Sequence, residues 1–296
     1  IVIGAGLIGL EIAVSFIERG LKTTVIELLP QVLPAMLDKD MADIVQEELE
    51  KKGLRIITGH GVDEILGGEK VNGVSVAGEQ IPTDFVVVAT GVRGNTELAQ
   101  KAGIALGETR LIKVNMRMET SIKDIYACGD CVESISLITK RPTVSQLGTT
   151  AVRQAKVAGT NAAGGYAIFP GVIGAAVTKL FDMEIGAVGL TEFFAKRNGI
   201  ETVSVTFTGK TRAQYYPGAL PLRIKLVAEK ETERLIGAQI IGGEGVAQRI
   251  NALSFAILKE MTVRELAKAE TCYAPPLNET WDPMVLAAQT LLRRLK

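Results

Sequence analysis

The first nine residues, Ile-Val-Ile-Gly-Ala-Gly-Leu-Ile-Gly (residues 1–9), decide how the chain begins to fold. Three apolar residues that are typical of a buried strand lead into a Gly-x-Gly-x-x-Gly turn, and residues 8–19 then repeat apolar side chains at helical spacing. In such a turn Gly4 permits the tight bend, Gly6 lets the backbone approach a pyrophosphate, and Gly9 lets the helix pack on the sheet. This strand–turn–helix unit predicts a dinucleotide-binding site.

The helix after the turn and the next strand complete this predicted site. Free N–H groups at the start of the helix, at Leu7 and Ile8, carry the positive end of the helix dipole and suit phosphate groups. Glu27 stands 18 positions after Gly9, at the end of the second predicted strand (residues 22–27). A carboxylate there hydrogen-bonds the adenosine ribose hydroxyls and repels a 2′-phosphate, so we expect NADH to be preferred over NADPH. The alternative is a glycine turn that serves packing only.

Strand and helix patterns alternate over residues 1–116, which predicts a doubly wound, Rossmann-type α/β domain. Asp38 is placed to cap the second helix, and residues 84–90 form a nearly all-apolar strand that suits a buried parallel sheet. From residue 166 the order changes to strands in a run followed by helices, which predicts an antiparallel α+β domain over residues 166–296. Its strand patterns lie at residues 201–207, 222–227 and 235–241.

Length and composition limit the class of protein. A chain of 296 residues exceeds the usual size of one hydrophobic core, so we expect two domains. Lys and Arg number 33, as do Asp and Glu, and this zero net charge does not indicate a nucleic-acid or acidic-membrane partner. No apolar run reaches the roughly 18 residues that a membrane span needs. Three cysteines fit a reducing cytoplasm, and a start inside a strand without Met leads us to expect an N-terminal truncation.

A second motif, Tyr-Ala-Cys-Gly-Asp at residues 126–130, predicts a short strand with Asp130 at its C-terminal edge, ahead of a long Ala- and Gly-rich helix at about residues 144–163. With this motif the chain resembles the pyridine nucleotide-disulfide oxidoreductases, and within them the NADH oxidase and coenzyme A-disulfide reductase-like branch. The segments that carry the resemblance are Gly4–Glu11 (G-x-G-x-x-G-x-E), Ala89–Gly91, Met118–Asp130 and Tyr273–Pro276.

The resemblance implies a chain order of FAD segment, NAD domain, returning FAD segment and dimerisation domain. Residues 1–116 are then the NAD(H)-binding domain, residues 117–165 the C-terminal segment of the FAD-binding domain, and residues 166–296 the dimerisation domain, while the N-terminal FAD-binding segment is missing. Asp130, preceded by Gly129, is expected to hydrogen-bond the FAD ribityl chain, and the following helix to direct its N-terminus at the flavin. The further cofactor contacts that we expect are Gly91, Leu147, Gly148 and Thr149.

Two catalytic roles also follow from the resemblance. Glu11 is expected to pair with a lysine of the missing segment beside flavin N5, and the alternative is an exposed helix carboxylate. Tyr273 is expected beside the flavin of the opposite subunit of a homodimer, where its hydroxyl donates a hydrogen bond to the reduced acceptor; the alternative is a packed interface aromatic. Leu7 departs from the family, whose members often have a Tyr over the nicotinamide pocket. The absence of a His at residues 272–276 argues against a lipoamide or glutathione reductase.

These features together predict a cytoplasmic, homodimeric flavoprotein with FAD and NADH as cofactors. It passes hydride from NADH to the flavin and then to a small-molecule acceptor, which is oxygen, a disulfide or sulfur. We expect the 296 residues alone to be inactive. The alternatives are a non-catalytic NAD-binding and dimerisation module, a nitrite or ferredoxin reductase-type flavoprotein subunit, and a plain Rossmann dehydrogenase without flavin.

Cys128 and Cys131 form a Cys-x-x-Cys pair, which in other settings is a redox dithiol. The residues between them, Gly129 and Asp130, are assigned to FAD by the resemblance. With no second Cys pair or nearby His, a zinc site is also disfavoured. We therefore expect both thiols to remain free.

Overall fold

The computed structural model describes residues 1–295. The chain divides into two compact units: Ile1–Gly91 with Ala175 onward, and Val92–Gly174. The predicted boundaries at residues 116 and 166 differ from this division. Ile112 donates its N–H to the Cys131 carbonyl at 2.8 Å, and Ala167 donates its N–H to Asn161 Oδ1 at 3.0 Å, so hydrogen bonds cross both predicted boundaries. The assignment of residues 1–116, 117–165 and 166–296 to three functional domains stays a prediction.

Residues 1–91 form a parallel sheet with helices and a small antiparallel sheet. The parallel strands have the order β3-β2-β1-β7, and the antiparallel strands the order β4-β5-β6. The elements are β1 (Val2–Ile3), α1 (Leu7–Glu18), β2 (Thr24–Glu27), α2 (Lys39–Lys51), β3 (Arg55–Thr58), β4 (Glu64–Gly67), β5 (Val71–Val76), β6 (Glu79–Pro82) and β7 (Val87–Val88).

The strand predicted at residues 84–90 is much shorter than expected. Only Val87 and Val88 pair, in parallel with the two residues of β1, because β7 is the edge strand and β1 is its one neighbour in the sheet. Phe85 and Val88 are exposed, so the prediction of a fully buried strand was wrong.

Residues 92–174 contain little regular structure apart from one long helix. The elements are α3 (Glu97–Lys101), β8 (Ser134–Ile135), β9 (Pro142–Thr143) and α4 (Gly148–Ala162). The strand predicted to end at Asp130 is absent from this described unit. Tyr126 makes only an isolated bridge to Glu119, and Gly129 adopts a positive φ of 85° that an extended strand cannot contain.

The remaining residues form a five-stranded antiparallel sheet flanked by helices, with the strand order β10-β11-β14-β13-β12. The elements are β10 (Ala176–Leu180), β11 (Met183–Gly189), α5 (Glu192–Arg197), β12 (Thr202–Lys210), β13 (Pro221–Glu229), β14 (Leu235–Gly242), α6 (Val246–Leu258), α7 (Val263–Leu266) and α8 (Pro283–Arg294). The strands predicted at residues 201–207, 222–227 and 235–241 are confirmed as β12, β13 and β14. The sequence prediction missed β10 and β11.

The start of α2 is bonded to this antiparallel sheet. Asp38 precedes α2 but makes no side-chain cap to it. Its carboxylate instead accepts hydrogen bonds from Gln239 Nε2 at 2.7 Å and from the N–H of Glu192 at 3.1 Å. The prediction that Asp38 caps its own helix was wrong, because a partner that is distant in sequence holds the carboxylate.

Candidate dinucleotide and flavin sites and a tyrosine pair

The glycine turn is packed against Ala89, the first residue of the predicted Ala89–Gly91 segment. Gly4 has a φ of 108°, and a Cβ there would lie 2.3 Å from the Ala89 carbonyl oxygen. A Cβ on Gly9 would lie 1.9 Å from the Gly4 oxygen, so the turn and the helix can approach only with glycine at both positions. Gly6 and Gly91 have open space where a side chain would stand. The structure thus brings these four predicted residues to one end of the parallel sheet.

Glu27 holds the backbone of this turn in place. It is buried at the end of β2, where Oε2 accepts the N–H of Ala5 at 2.7 Å and Oε1 accepts the N–H of Leu29 at 2.8 Å. Each carboxylate oxygen can accept a second hydrogen bond, so capacity for a ribose hydroxyl remains. The carboxylate therefore joins the glycine turn to the loop that follows β2.

The first turn of α1 has the features of an anion site. Its N-cap is Gly6, with no side chain bonded to the helix start, and no acidic residue lies in its first turn. Ile8 is exposed and Leu7 is half-buried. Uncapped N–H groups beside a glycine with open space fit a pyrophosphate, so these residues suit a dinucleotide.

Glu11 lies on α1 and contacts the antiparallel sheet. Its Oε1 accepts a hydrogen bond from the Thr178 hydroxyl of β10 at 2.6 Å, while the side chain stays exposed. Glu11 is therefore fixed in orientation by Thr178, and its pairing with a lysine stays a prediction.

The second predicted cofactor region lies in residues 92–174. The N–H of Gly129 donates to Gln154 Oε1 at 2.8 Å, and Gln154 is almost fully buried, so the Gly-Asp turn is anchored to α4. Asp130 itself is exposed. The start of α4 is uncapped by side chains, with Leu147 as N-cap and with Gly148 and Thr149 exposed. An exposed carboxylate and a free helix start fit the hydroxyls and the ring of a flavin cofactor.

The Cys-x-x-Cys pair lies next to Asp130. The Cys131 thiol donates to the Cys128 carbonyl oxygen at 3.6 Å, and all three cysteines of the chain are free. Burial raises the pKa of Cys131, which disfavours its reactive thiolate. In residues 1–295 no group of three or more His, Cys, Asp or Glu side chains is placed to hold a metal ion.

Tyr273 has a partner that the sequence did not reveal. Its hydroxyl lies 2.6 Å from the hydroxyl of Tyr215, and both side chains are exposed. The hydrogen bond to Tyr273 raises the pKa of Tyr215. Tyr215 and Tyr216 precede Pro-Gly in the loop between β12 and β13. Two consecutive aromatics in such a turn are the signal that could have indicated an exposed functional loop.

The arrangement of glycine turn, acidic strand end and antiparallel domain matches a known family. The family model of the pyridine nucleotide-disulphide oxidoreductases matches residues 1–158, more than half of the chain. The chain belongs to this family. The dimerisation domain of the pyridine nucleotide-disulphide oxidoreductases matches residues 175–285. The predictions of family and fold class are thereby confirmed, and the antiparallel sheet lies in a dimerisation domain.

Two curated relatives within this family resemble nearly the whole chain. The NADH oxidase of Methanocaldococcus jannaschii is 49% identical over 99% of this chain and 65% of its own length. The CoA-dependent NAD(P)H sulfur oxidoreductase of Pyrococcus furiosus is 36% identical over 98% of this chain and 65% of its own length. The chain thus spans about 65% of these relatives.

Two solved structures of the family have the same fold. The NAD-dependent persulfide reductase of A. fulgidus aligns with a TM-score of 0.96 and 43% identity, covering 99% of this chain and 54% of that one. An engineered NADPH-bound variant of the Lactobacillus brevis NADH oxidase aligns with a TM-score of 0.93 and 25% identity, covering 99% and 65%. Among the residues that the structure describes, no helix is long and apolar enough to cross a membrane.

Proposed function

We propose that this chain is the NAD-binding and dimer-forming part of an FAD-dependent oxidoreductase that takes hydride from NADH and reduces a disulfide or persulfide. The observation that carries the proposal is the glycine turn held by Glu27 beside the uncapped start of α1. FAD, when bound, supplies the hydride-accepting chemistry that side chains lack. The residues of this chain bind and orient the nucleotides and supply a proton.

The preference for NADH is supported by a substitution set in a structural neighbour. The engineered NADPH oxidase carries replacements of a glycine, an aspartate and a proline that are separated by 18 and 7 positions. Gly9, Glu27 and Pro34 have the same separations here. The acidic position that was neutralised in that NADPH-binding protein thus corresponds in spacing to Glu27, which agrees with exclusion of a 2′-phosphate.

For FAD, we propose that Asp130 bonds the ribityl chain and that the start of α4, at Leu147, Gly148 and Thr149, faces the flavin. A helix N-terminus favours negative charge within its first turn. Gly129 sets the turn that presents Asp130, because its positive φ redirects the chain between Cys128 and Asp130.

For the acceptor, we propose a disulfide or persulfide, whose cleavage releases a thiolate that must be protonated. The hydrogen-bonded phenols of Tyr215 and Tyr273 are exposed proton donors that suit this step. A homodimer and a cytoplasmic location are part of the proposal, because a dimerisation domain is present and all three thiols are free. Oxygen is the second candidate acceptor, favoured by the 49% identity to an NADH oxidase.

The test is an anaerobic half-reaction experiment on the full-length protein. The flavin absorbance is followed first with NADH or NADPH, and then with coenzyme A disulfide, a persulfide or oxygen. We expect rapid bleaching by NADH and faster recovery with a sulfur acceptor than with oxygen. Failure of NADH to bleach the flavin contradicts the proposal, and recovery with oxygen alone selects the second candidate.

A further inference from the structure

The two tyrosines of the pair are held by two separate loops. Tyr215 lies in the loop of residues 211–220 between β12 and β13, which is closed at its base by bonds between Thr211 and Leu220 at 2.9 and 3.1 Å. Tyr273 lies in the loop of residues 272–282 between α7 and α8. Both tyrosines are exposed, so little packing around the rings fixes the distance between the hydroxyls. Contacts at the bases of the two loops therefore have to fix their relative position.

Arg249 of α6 lies beneath both loops and contacts each of them. Its side chain is 8% exposed. Nη2 donates to Asn278 Oδ1 in the second loop at 3.0 Å and to the Thr211 carbonyl at the base of the first loop at 3.5 Å. Nε donates to Asp282 Oδ2 at 3.1 Å. One planar guanidinium thus connects the bases of the two loops that carry the pair.

The connection continues to the residue beside Tyr273. Asn278 Nδ2 donates to the Cys272 carbonyl at 3.1 Å and to Asp282 Oδ2 at 2.9 Å. Asp282 also accepts the N–H of Met284 at 2.8 Å, which fixes the start of α8. Two hydrogen bonds therefore lead from the Arg249 guanidinium to the peptide that precedes Tyr273.

The hydrogen bonds of Arg249 fix the positions of the two loops more than they add to the stability of the fold. A buried ion pair costs desolvation that can equal its Coulombic gain, and apolar replacements are often as stable. A guanidinium supplies several donors in one rigid plane, whereas an ammonium supplies a compact point charge. The contacts of Arg249 use two separate nitrogens, Nε for Asp282 and Nη2 for Thr211 and Asn278. Lysine cannot reproduce them.

We infer that Arg249 is a positioning residue that holds Tyr215 and Tyr273 at hydrogen-bonding distance. The inference rests on the proposed function only for its catalytic consequence, which is the rate of proton delivery to the acceptor. Its structural consequence is independent of catalysis, because the hydrogen bond between Tyr215 and Tyr273 raises the pKa of Tyr215. When the loops move apart and the two hydroxyls no longer form a hydrogen bond, the pKa of Tyr215 returns toward that of an ordinary tyrosine.

The experiment uses the full-length holoenzyme and the variant Arg249→Lys. Ionisation of Tyr215 is measured by ultraviolet difference titration, as the difference between each protein and the same protein carrying Tyr215→Phe. We expect Arg249→Lys to shift this titration to lower pH. Lys225→Met is the matched control, because it breaks a different buried ion cluster, whose partners Asp38, Asp40 and Glu192 lie outside both loops. It should leave the titration unchanged.

Kinetics supply the second readout. Arg249→Lys should slow acceptor reduction by about tenfold to a hundredfold, the cost of a small misplacement of a reacting group, and leave flavin reduction by NADH unchanged. In a Tyr273→Phe background it should cause no further loss. If Arg249→Lys does not fold, Asn278→Ala removes the connection from Arg249 through Asn278 to Cys272 and leaves the bonds of Arg249 to Asp282 and Thr211 in place. It should shift the titration in the same direction.

The outcomes separate the two ideas. An unshifted Tyr215 titration in a folded Arg249→Lys protein, or in folded Asn278→Ala where Arg249→Lys fails, overturns the positioning role. If the titration shifts but Tyr273→Phe does not change the rate of acceptor reduction, Arg249 remains a positioning residue. The proton-donor role of the tyrosine pair is then refuted.

Discussion

The hydroxyl oxygens of Tyr215 and Tyr273 lie 2.6 Å apart, although 58 positions separate the two residues in the chain. One phenol donates to the other, so the donor of this bond is stabilised in its protonated form. The pKa of Tyr215 is raised mainly by this bond, then by desolvation and the charge of an ionised Tyr273, and least by the charge of Glu279. At neutral pH the pair therefore carries protons that an acceptor could receive.

Removing either phenol hydroxyl should slow acceptor reduction by about the same factor. Tyr273→Phe and Tyr215→Phe are each expected to slow acceptor reduction roughly 10²-fold, within the range of general acid catalysis. The double variant should be no slower than the worse single variant, because the hydroxyls act as one unit. Stopped-flow measurement of flavin reoxidation in full-length protein tests this, with flavin reduction by NADH as the internal control. Unchanged rates in all three variants would make both tyrosines structural.

Glu27 is expected to control both cofactor choice and the glycine turn. Glu27→Gln removes the negative charge, so the ratio of the dissociation constants for NADPH and NADH should fall. The amide can accept only one of the two N–H groups of Ala5 and Leu29, which leaves a buried donor unsatisfied and should lower the free energy of unfolding by about 1–3 kcal/mol.

Fluorescence titration with each nucleotide and urea unfolding measure these two effects. Glu18→Gln is the matched control, since Glu18 is an exposed carboxylate at the end of α1. Equal affinity of the unaltered protein for NADH and NADPH would contradict the role of Glu27 in selectivity.

The cysteines should differ in reactivity although all are free. A thiol count on the denatured, non-reduced 296-residue chain should give three. In the native chain exposed Cys272 should react fast and Cys131 slowly, because burial raises the pKa of the Cys131 thiol and lowers its thiolate fraction. Cys272→Ser should abolish the fast phase. A denatured count of one would instead favour a Cys128–Cys131 disulfide.

Local signals in the sequence predicted that the glycine turn and Glu27 lie together, while nucleotide binding by these residues stays a prediction. The turn at Gly4 to Gly9 and the acid at Glu27 are placed by a single strand–turn–helix unit, whose geometry depends on neighbouring residues. The long strands β12, β13 and β14 also follow from local pattern. In contrast, the length of β7 is limited by its one neighbour, β1. The apolar residues of β7 themselves give no indication of this limit.

Residues that act through distant partners were not predictable in the same way. Asp38 has an ideal position for a helix cap, yet Gln239 and Glu192 hold its carboxylate from elements more than 150 positions away. Tyr215 and Arg249 have no motif of their own, and their significance depends on loops that meet only in the folded chain. These roles depend on contacts between residues that are distant in the sequence, and a single sequence does not show which distant residues meet.

Removing the charge of one buried lysine should strongly destabilise the antiparallel sheet. Lys225 Nζ lies 2.7 Å from Asp40 Oδ1, 2.6 Å from Glu192 Oε2 and 3.4 Å from Asp38 Oδ2, and its side chain is 4% exposed. Burial is the largest single effect and opposes its charge, but the hydrogen bonds to Asp40 and Glu192 and the charges of Asp38 and Asp40 together raise the pKa of Lys225. Burial likewise opposes the charge of Asp40, and its bond to Lys225 is among the contacts that lower its pKa.

The pH dependence follows from these directions. The contribution of Lys225 is complete below the ordinary lysine pKa of 10.5 and is lost as the pH rises through the higher folded value. The contribution of Asp40 is complete above its ordinary pKa of 3.8 and is lost as the pH falls through the lower folded value.

Between these limits, Lys225→Met should lower the free energy of unfolding by about 3–5 kcal/mol, because three carboxylates then face each other without a counter-charge. Lys230→Met is the control: Lys230 pairs with Glu201 in solvent, and its loss should cost at most about 1 kcal/mol. Urea unfolding at a series of pH values measures both, and equal losses in the two variants would show that the Lys225 cluster contributes no more than a surface pair.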